Sequence, residues 1–317
     1  MSTVKKIRWV LAHEPIELFL RAATRFSEEI AQKSDGKIEI EVMTLSQYSQ
    51  KYANGQKVTK HDLLNLMESG EIEMSQMYTT TLGKFNKDMF VLDMPFLFRN
   101  HEHAASVLEG QIGKNLMDGL SKASNIQGLA FTYSGGYRMI AAKKAINTME
   151  DFKGLKIRVA KSPVAEDSLR AVGAVPIAME LEDVNEALDQ DVIEGGESTY
   201  PRFYSMKQNE YSNVINDTQH SLFLTSIIVG KNFWNSLSPE LRTIMSEAAV
   251  IAANVERKES VADVKVIQEK CKADGIAVVT LNETEQNKFK LATSSVYEKY
   301  SDGFFTNGLL DKIIKTH

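Results

Sequence analysis

Cysteine, proline and tryptophan are scarce in this chain. Its 317 residues hold one cysteine, Cys271, with six prolines and two tryptophans. A single cysteine excludes an intrachain disulfide and any metal site built on several thiolates. No apolar run reaches the roughly 20 residues of a membrane-spanning helix; the longest, "SLFLTSIIVG" at 221–230, has the length of a strand. The opening "MSTVKKIRWVLAHEP" has basic residues but lacks the uninterrupted apolar segment of a secretory leader. Taken literally that points to the cytoplasm, and it equally fits a chain whose leader has been removed. Positive charge is not in surplus either. Against 42 acidic residues stand 37 Lys and Arg, a formal net charge of -5. No basic run alternates with aromatics, so a nucleic acid is not expected as a partner.

Catalytic signatures are missing too. There is no GxxxxGK[ST], no GxGxxG after a strand, no HExxH and no GxSxG. His101 and His103 in "HEHAA" are two apart on an expected helix, so they point to different faces and share a metal poorly. Cys271 falls late in a long helical run and reads as a packing residue. The expectation is a protein that is not an enzyme, with no cofactor and no metal.

What is present is the alternation of strands and helices. "KIRWVLA" reads as a strand, and Pro15 opens a helix with Phe19, Ala22, Ala23, Phe26 and Ile30 at three- and four-residue spacing. "KIEIEVM", "EIEMSQM" and "IQGLAFTY" read as strands, "HDLLNLMES" and "HEHAASVLEGQIGKNLMDGL" as helices. The pattern then restarts. Thr148 and Asp151 stand in capping-box position before a short turn ended by Gly154. "LKIRV" reads as a strand, and Ser162 caps a helix with Pro163 at its first position. "AVPIAM" and "VIEGGE" are expected strands around the helix "EDVNEALDQ". "SLFLTSIIVG" should be a buried central strand, Pro239 to about Ala273 one long helix, and "GIAVVTL" a late strand before a helical tail. Two α/β units without a flexible linker are therefore expected.

Two arginines stand out in this frame. Arg158 alternates with Ile157 and Val159 in the strand "LKIRV", and Arg138 follows the glycine pair of "YSGGYR", which can shape an anion-binding turn or a plain one. Each arginine can form an internal ion pair or lie on an exposed strand face. Lining a cleft, a guanidinium fork instead matches a carboxylate with two parallel bonds and stays charged at any relevant pH. Charge-assisted bonds contribute about 1.5–3 kcal/mol each, so two or three would supply much of the roughly 8 kcal/mol of micromolar binding.

Four stretches, in order, carry a resemblance. "LDMPFLFRN", "DFKGLKIRV", "GAVPIAMELEDVNEALDQDVIEGGE" and "NDTQHSLFLTSIIVGKNFWNSLSPELR" are similar to segments of the DctP-like periplasmic solute-binding proteins of TRAP transporters, and the likeness runs from about residue 5 to about residue 300. The resemblance implies an α/β, two-lobed periplasmic binding protein fold with a ligand cleft between the lobes and a long C-terminal helical section. It implies lobes at 1–130 plus about 213–255, and 131–212 plus about 256–317. It also implies capture of a small organic acid by an arginine-carboxylate pair, lobe closure, and delivery to membrane permease subunits. A periplasmic monomer without its leader is the matching expectation.

By the same resemblance Arg158 is the carboxylate clamp, Arg138 a second basic position and His220 a histidine near the cleft, or else a satisfied core histidine. The segment through Met179 also borders the ligand. Where the family often has Gln-Glu-Asn-Pro, this chain has Gly196, Glu197, Ser198 and Thr199, so the shorter Ser198 replaces a ligand-contacting asparagine. Leu181 stands where an aromatic is common. Tyr200, Phe203 and Tyr204 can wall the pocket or pack in the core. In the first lobe Glu14, Tyr78 and the run Thr79 to Thr81 are placed at a cleft edge. Two other classes compete: a ligand-sensing protein of the same architecture that hands its closed state to a receptor, and an enzyme on a two-lobed scaffold. Fused signalling helices would favour the first and a nucleophile-base pair or cofactor motif the second.

Overall fold

The computed structural model describes residues 4–13 and 17–317. The chain divides into two compact units. The first takes Met1–Asn86, Val107–Tyr133 and Leu224–Glu259; the second takes Lys87–Ser106, Ser134–Phe223 and Ser260–His317. Segments 87–106 and 213–223 thus belong to the second unit, not to the first lobe as expected. For 213–223 the reason is strand pairing within the second sheet, described below.

The first unit is built on a five-stranded sheet. Its strands are β1 (Lys5–Leu11), β2 (Ile38–Thr44), β3 (Met74–Tyr78), β4 (Ile126–Tyr137) and, numbered ahead of its place as the tenth strand, β10 (Leu222–Gly230), in the order β2-β1-β3-β10-β4. β1 runs parallel to β2 and β3, while β10 is antiparallel to β3. Every residue of β10 is buried, which is why "SLFLTSIIVG" is apolar throughout. The helix Glu17–Lys33 buries Phe19, Ala22, Ala23, Phe26 and Ile30, the stripe expected from their spacing. The opening of that helix at Pro15 lies outside the described residues.

Two local features differ from the sequence reading. A helix at Leu45–Tyr52 was not expected; it starts on a reciprocal capping box between Thr44 and Gln47. The stretch 101–120 is two helices, His101–Glu109 and Gln111–Ala123, broken at the extended Gly110. Gly113 allows that junction: a Cβ there would lie 1.9 Å from the Leu108 carbonyl oxygen.

The second unit has a six-stranded sheet. It contains β5 (Met139–Ala142), β6 (Lys156–Val159), β7 (Val175–Ala178), β8 (Gly195–Ser198), β9 (Val214–Asn216) and β11 (Ala277–Val279), in the order β11-β9-β5-β8-β6-β7. β6 is parallel to β7 and β8, whereas β5 runs antiparallel to β8 and β9. The pairing of β9 with β5 and with β11 draws 213–223 into this unit. Neither β5 nor β9 was expected, and "VIEGGE" starts its strand three residues later than read, at Gly195. The capping box at Thr148 and the Ser162 cap with Pro163 stand as expected. One face of the sheet buries Ile140, Ala142, Ile157 and Val159 with Phe152 and Phe289; the other buries Met139, Ala141 and Ile215 with Tyr200, Phe203 and Cys271. Pro239–Ala273 is a single helix with residues in both units.

Candidate ligand site

The arginine positions follow from strand order. β6 lies inside the sheet between β8 and β7, and Ile157, Arg158 and Val159 are all buried, so both of its faces are covered. Ile157 and Val159 fill one face, and the alternation turns Arg158 to the other, opposite Gly196 in register. Arg158 is buried. Its Nε and Nη2 donate to the Met179 carbonyl at 3.0 and 2.9 Å, and its Nη1 donates to the Glu197 carbonyl at 3.3 Å. Bonds to neutral carbonyl oxygens set the plane of the fork and leave its charge in place.

Arg138 joins β4 to β5 and is equally buried, 1% exposed. Its backbone N–H donates to the Ser221 carbonyl at 2.8 Å, and its guanidinium lies 3.9 Å from the centre of the Phe223 ring. Two carboxylates flank it, Glu197 at 3.7 Å and Asp93 at 3.9 Å. Both separations exceed hydrogen-bond length, and neither terminal nitrogen has a hydrogen-bond partner among the described residues. The preceding glycines sit in the left-handed region at φ +90° and +92°. At Gly135 a Cβ would fall 2.3 Å from Thr199 Oγ1, so glycine is required as the strand passes Thr199. The glycine pair therefore belongs to a strand, and no separate anion-binding turn forms there.

Glu197 connects the group. Its carboxylate faces Arg138 on one oxygen and accepts from the Ala160 N–H at 3.4 Å. The other oxygen is 2.9 Å from His220 Nε2, whose ring also meets Thr218 Oγ1 at 2.7 Å through Nδ1 and stacks on Phe289. Burial alone would push the Glu197 carboxyl up; the Arg138 charge, the His220 bond and the Arg158 charge outweigh it and bring it down to about 2. Asp93 goes the other way. Burial dominates, the Arg138 charge and a bond from Ser162 offset only part of it, and its carboxyl rises to about 6. At neutral pH the cluster carries two guanidinium charges, one firmly ionised acid and one acid that titrates nearby.

The remaining expected site residues are divided. His220 belongs to the cluster through Glu197, so it is both a satisfied core histidine and a part of the site. Ser198 is fully buried at the end of β8, and its Oγ has no hydrogen-bond partner among the described residues. Met179 contributes its carbonyl to Arg158, while its side chain packs on a cluster of Leu181, Val184, Ala187, Leu188 and Ile193. Leu181 is thus a core residue. Tyr200 and Phe203 pack with Met139 and Ile215 on the opposite face from Ile140, and Tyr204 bonds Asp274 at 2.8 Å. Tyr78 belongs to the first unit, edge-on to Phe19 and His13. Thr79 and Thr80 are buried at the start of the short helix Thr79–Leu82, and Glu14 lies outside the described residues.

Two residues of the cluster were missed. Glu197 was read only as part of a loop that departs from a family pattern, and Asp93 only as a letter in "LDMPFLFRN". For Glu197 the available signal was an acid set in an otherwise small strand, and for Asp93 an acid among apolar residues at the end of the short helical turn Lys87–Asp93; a buried acid in either place calls for a cation or hydrogen-bond donors.

The family model DctP, bacterial extracellular solute-binding protein family 7, matches residues 12–302. The chain belongs to this family. Family 7 proteins are substrate-binding components of transport systems and not enzymes. Among relatives, the C4-dicarboxylate-binding periplasmic protein DctP of Rhodobacter capsulatus is 30% identical over 249 residues, covering 76% of this chain and 70% of its own length. A TRAP periplasmic solute-binding protein from Pseudomonas putida, solved with bound D-glucuronate, superposes with a TM-score of 0.84 at 27% identity and covers 98% of this chain and 97% of its own. One from Sulfurospirillum deleyianum, with bound succinate, gives 0.83 at 25% identity, covering 99% of this chain and 100% of its own. The two structural likenesses extend over 98% and 99% of this family 7 chain.

Proposed function

We propose that this chain is the extracytoplasmic solute-binding subunit of a TRAP transporter, that it takes a small organic acid onto Arg158 and Arg138, and that it hands this acid to membrane permease subunits. The observation that carries the reading is the pair of buried guanidinium groups held by one unit. Arg158 is oriented by carbonyl oxygens, and Arg138 has terminal N–H groups without hydrogen-bond acceptors among the described residues. Leaving such donors unsatisfied costs free energy, and an entering carboxylate with two oxygens in fork geometry removes that cost. Glu197 ionised and bonded to His220 holds Arg138 without consuming its hydrogen bonds.

The ligands named for relatives share one group. C4-dicarboxylate, D-glucuronate and succinate all carry a carboxylate, and they differ in what is attached to it. Ser198, with a buried hydroxyl where a longer amide is common in the family, suits the part of the ligand beyond that group. The test is a thermal-shift screen of carboxylic acids, including succinate and D-glucuronate, followed by calorimetry on the best binder. A ligand specific to the folded state raises the melting temperature. The reading requires saturable binding of at least one acid that Arg158→Ala removes; binding that survives Arg158→Ala at unchanged affinity overturns it.

A further inference from the structure

Among the described residues, a cavity of about 240 Å3 in the second unit is lined by none of Arg138, Arg158, Glu197 or His220. Its size is just below the roughly 300–1,000 Å3 of drug-sized sites, so it suits a molecule of a few heavy atoms. Three aromatic side chains, His101, Tyr137 and Tyr200, stand around one carboxylate, Asp217. The His101 and Tyr137 rings are 5.0 Å apart, and the Tyr137 hydroxyl donates to the Phe98 carbonyl at 3.2 Å, which holds that ring in place.

Asp217 is 6% exposed and short of positive charge. Its backbone N–H donates to the Val279 carbonyl at 2.8 Å, and its carboxylate accepts one long bond from Gln219 Nε2 at 3.3 Å. No ion pair to it forms among the described residues. Gln219 itself is held at φ 49°, a conformation that costs a non-glycine residue free energy and gathers at functional sites. Tyr200, 3% exposed, turns its hydroxyl to the same cavity, where Oη has no hydrogen bond of normal geometry although Asp217 and Gln268 lie near enough to affect its ionisation. Lys265 also lines the cavity but is exposed, so solvent and salt screen its charge more than that of the buried acid. Burial keeps the His101 imidazolium below its ordinary range, so that ring adds no competing charge at neutral pH.

We propose that this cavity binds a small organic cation of the alkylammonium class, with Asp217 as counter-ion, the Tyr200 oxygen facing the charge, and the Tyr137 ring as a cation–π wall. The inference does not rest on the organic-acid reading, because the two sites have different linings. Its test uses the full chain, with choline and its uncharged isostere 3,3-dimethylbutanol as calorimetric probes at low salt. Choline should bind saturably at one site and the alcohol at least tenfold more weakly. Asp217→Asn should weaken choline about tenfold or more and Tyr200→Phe several-fold, while binding of the organic acid is unchanged in Asp217→Asn. Arg158→Ala should leave choline binding intact. Far-UV circular dichroism checks each fold; if Asp217→Asn does not fold, the choline-to-alcohol ratio and Tyr200→Phe decide. Equal binding of choline and the alcohol, undiminished choline affinity in folded Asp217→Asn, or no binding of choline, ethylammonium or tetramethylammonium overturns the proposal.

Discussion

The sheets of the two units bury polar groups in different ways, although the helices of the first unit also bury Glu29, Glu256 and Arg257. In the first, the interior of the sheet holds a neutral network: the Gln76 amide donates to Thr132 and Thr225 at 3.0 Å each, and the two threonine hydroxyls meet at 2.5 Å. In the second, the corresponding polar interior is ionic, with Arg138, Arg158, Glu197 and Asp93 all at most 5% exposed. The neutral network satisfies its donors with its own hydroxyls and leaves one acceptor, Gln76 Oε1, without a hydrogen-bond partner among the described residues. Guanidinium groups have no acceptors of their own, and a buried one needs carbonyl or hydroxyl oxygens, anions from its chain, or an anion that comes and goes. Part of Arg138's hydrogen-bonding capacity has no acceptor among the described residues, and the proposed organic-acid site rests on that cation.

The sharpest way to break that contrast is to remove a cation. Arg158→Ala should lower organic-acid affinity by about 100-fold or more, given about 1.5–3 kcal/mol for each charge-assisted bond, with the fold intact by circular dichroism. Arg158→Lys should also bind poorly, since an ammonium cannot reproduce the fork; near-normal calorimetric affinity for Arg158→Lys would show that only the charge matters. Next comes stability. Glu197→Gln strips Arg138 of its ionised partner and should cost about 3–5 kcal/mol in urea unfolding, against about 1–3 kcal/mol for Thr225→Val in the neutral network. Equal costs would erase the distinction between the units.

Smaller effects come from pH. Asp93 rises to about 6, so acidification through that value removes a negative charge beside Arg138. Affinity for a carboxylate ligand whose own pKa lies well below should increase several-fold from pH 7 to pH 5, and Asp93→Asn should flatten the profile. Stability has two windows of opposite sign. Glu197 lies below its ordinary 4.5, so its contribution is complete above that value and is lost as pH falls towards about 2. Asp93 lies above its ordinary 3.8; the folded state holds its proton more tightly, and stability falls as pH rises from about 3.8 to about 6. Urea midpoints across pH 3 to 7 should show that second fall in the parent and not in Asp93→Asn.

Much of the fold was legible because its causes are local. The Thr148 capping box, the Ser162-Pro163 start and the apolar β10 all act within a few residues. The strands "MIAA" and "VIN" were missed because they are short and wholly buried, so no alternation betrays them. Arg158 was legible as a polar residue in an interior strand. Glu197 was not legible as its neighbour's partner, because Arg138 and His220 reach it only after β5, β8 and the chain following β9 come together. Leu181 was placed near the ligand by analogy along the sequence, and packing puts it in a hydrophobic cluster; Tyr200, open between wall and core in the sequence, packs in a cluster and also borders the cavity at Asp217.

The sequence by itself determined most of the alternation of strands and helices, a single thiol, and the presence of two arginines where interior strands would hide them. Tertiary structure alone decided which acids face those arginines, which of them stays ionised, and which aromatics are wall or core. The reason is range. Helix caps and side-chain alternation are settled by neighbours in the chain, whereas the ionisation of a buried group is set by desolvation and by charges that only folding brings within a few ångströms.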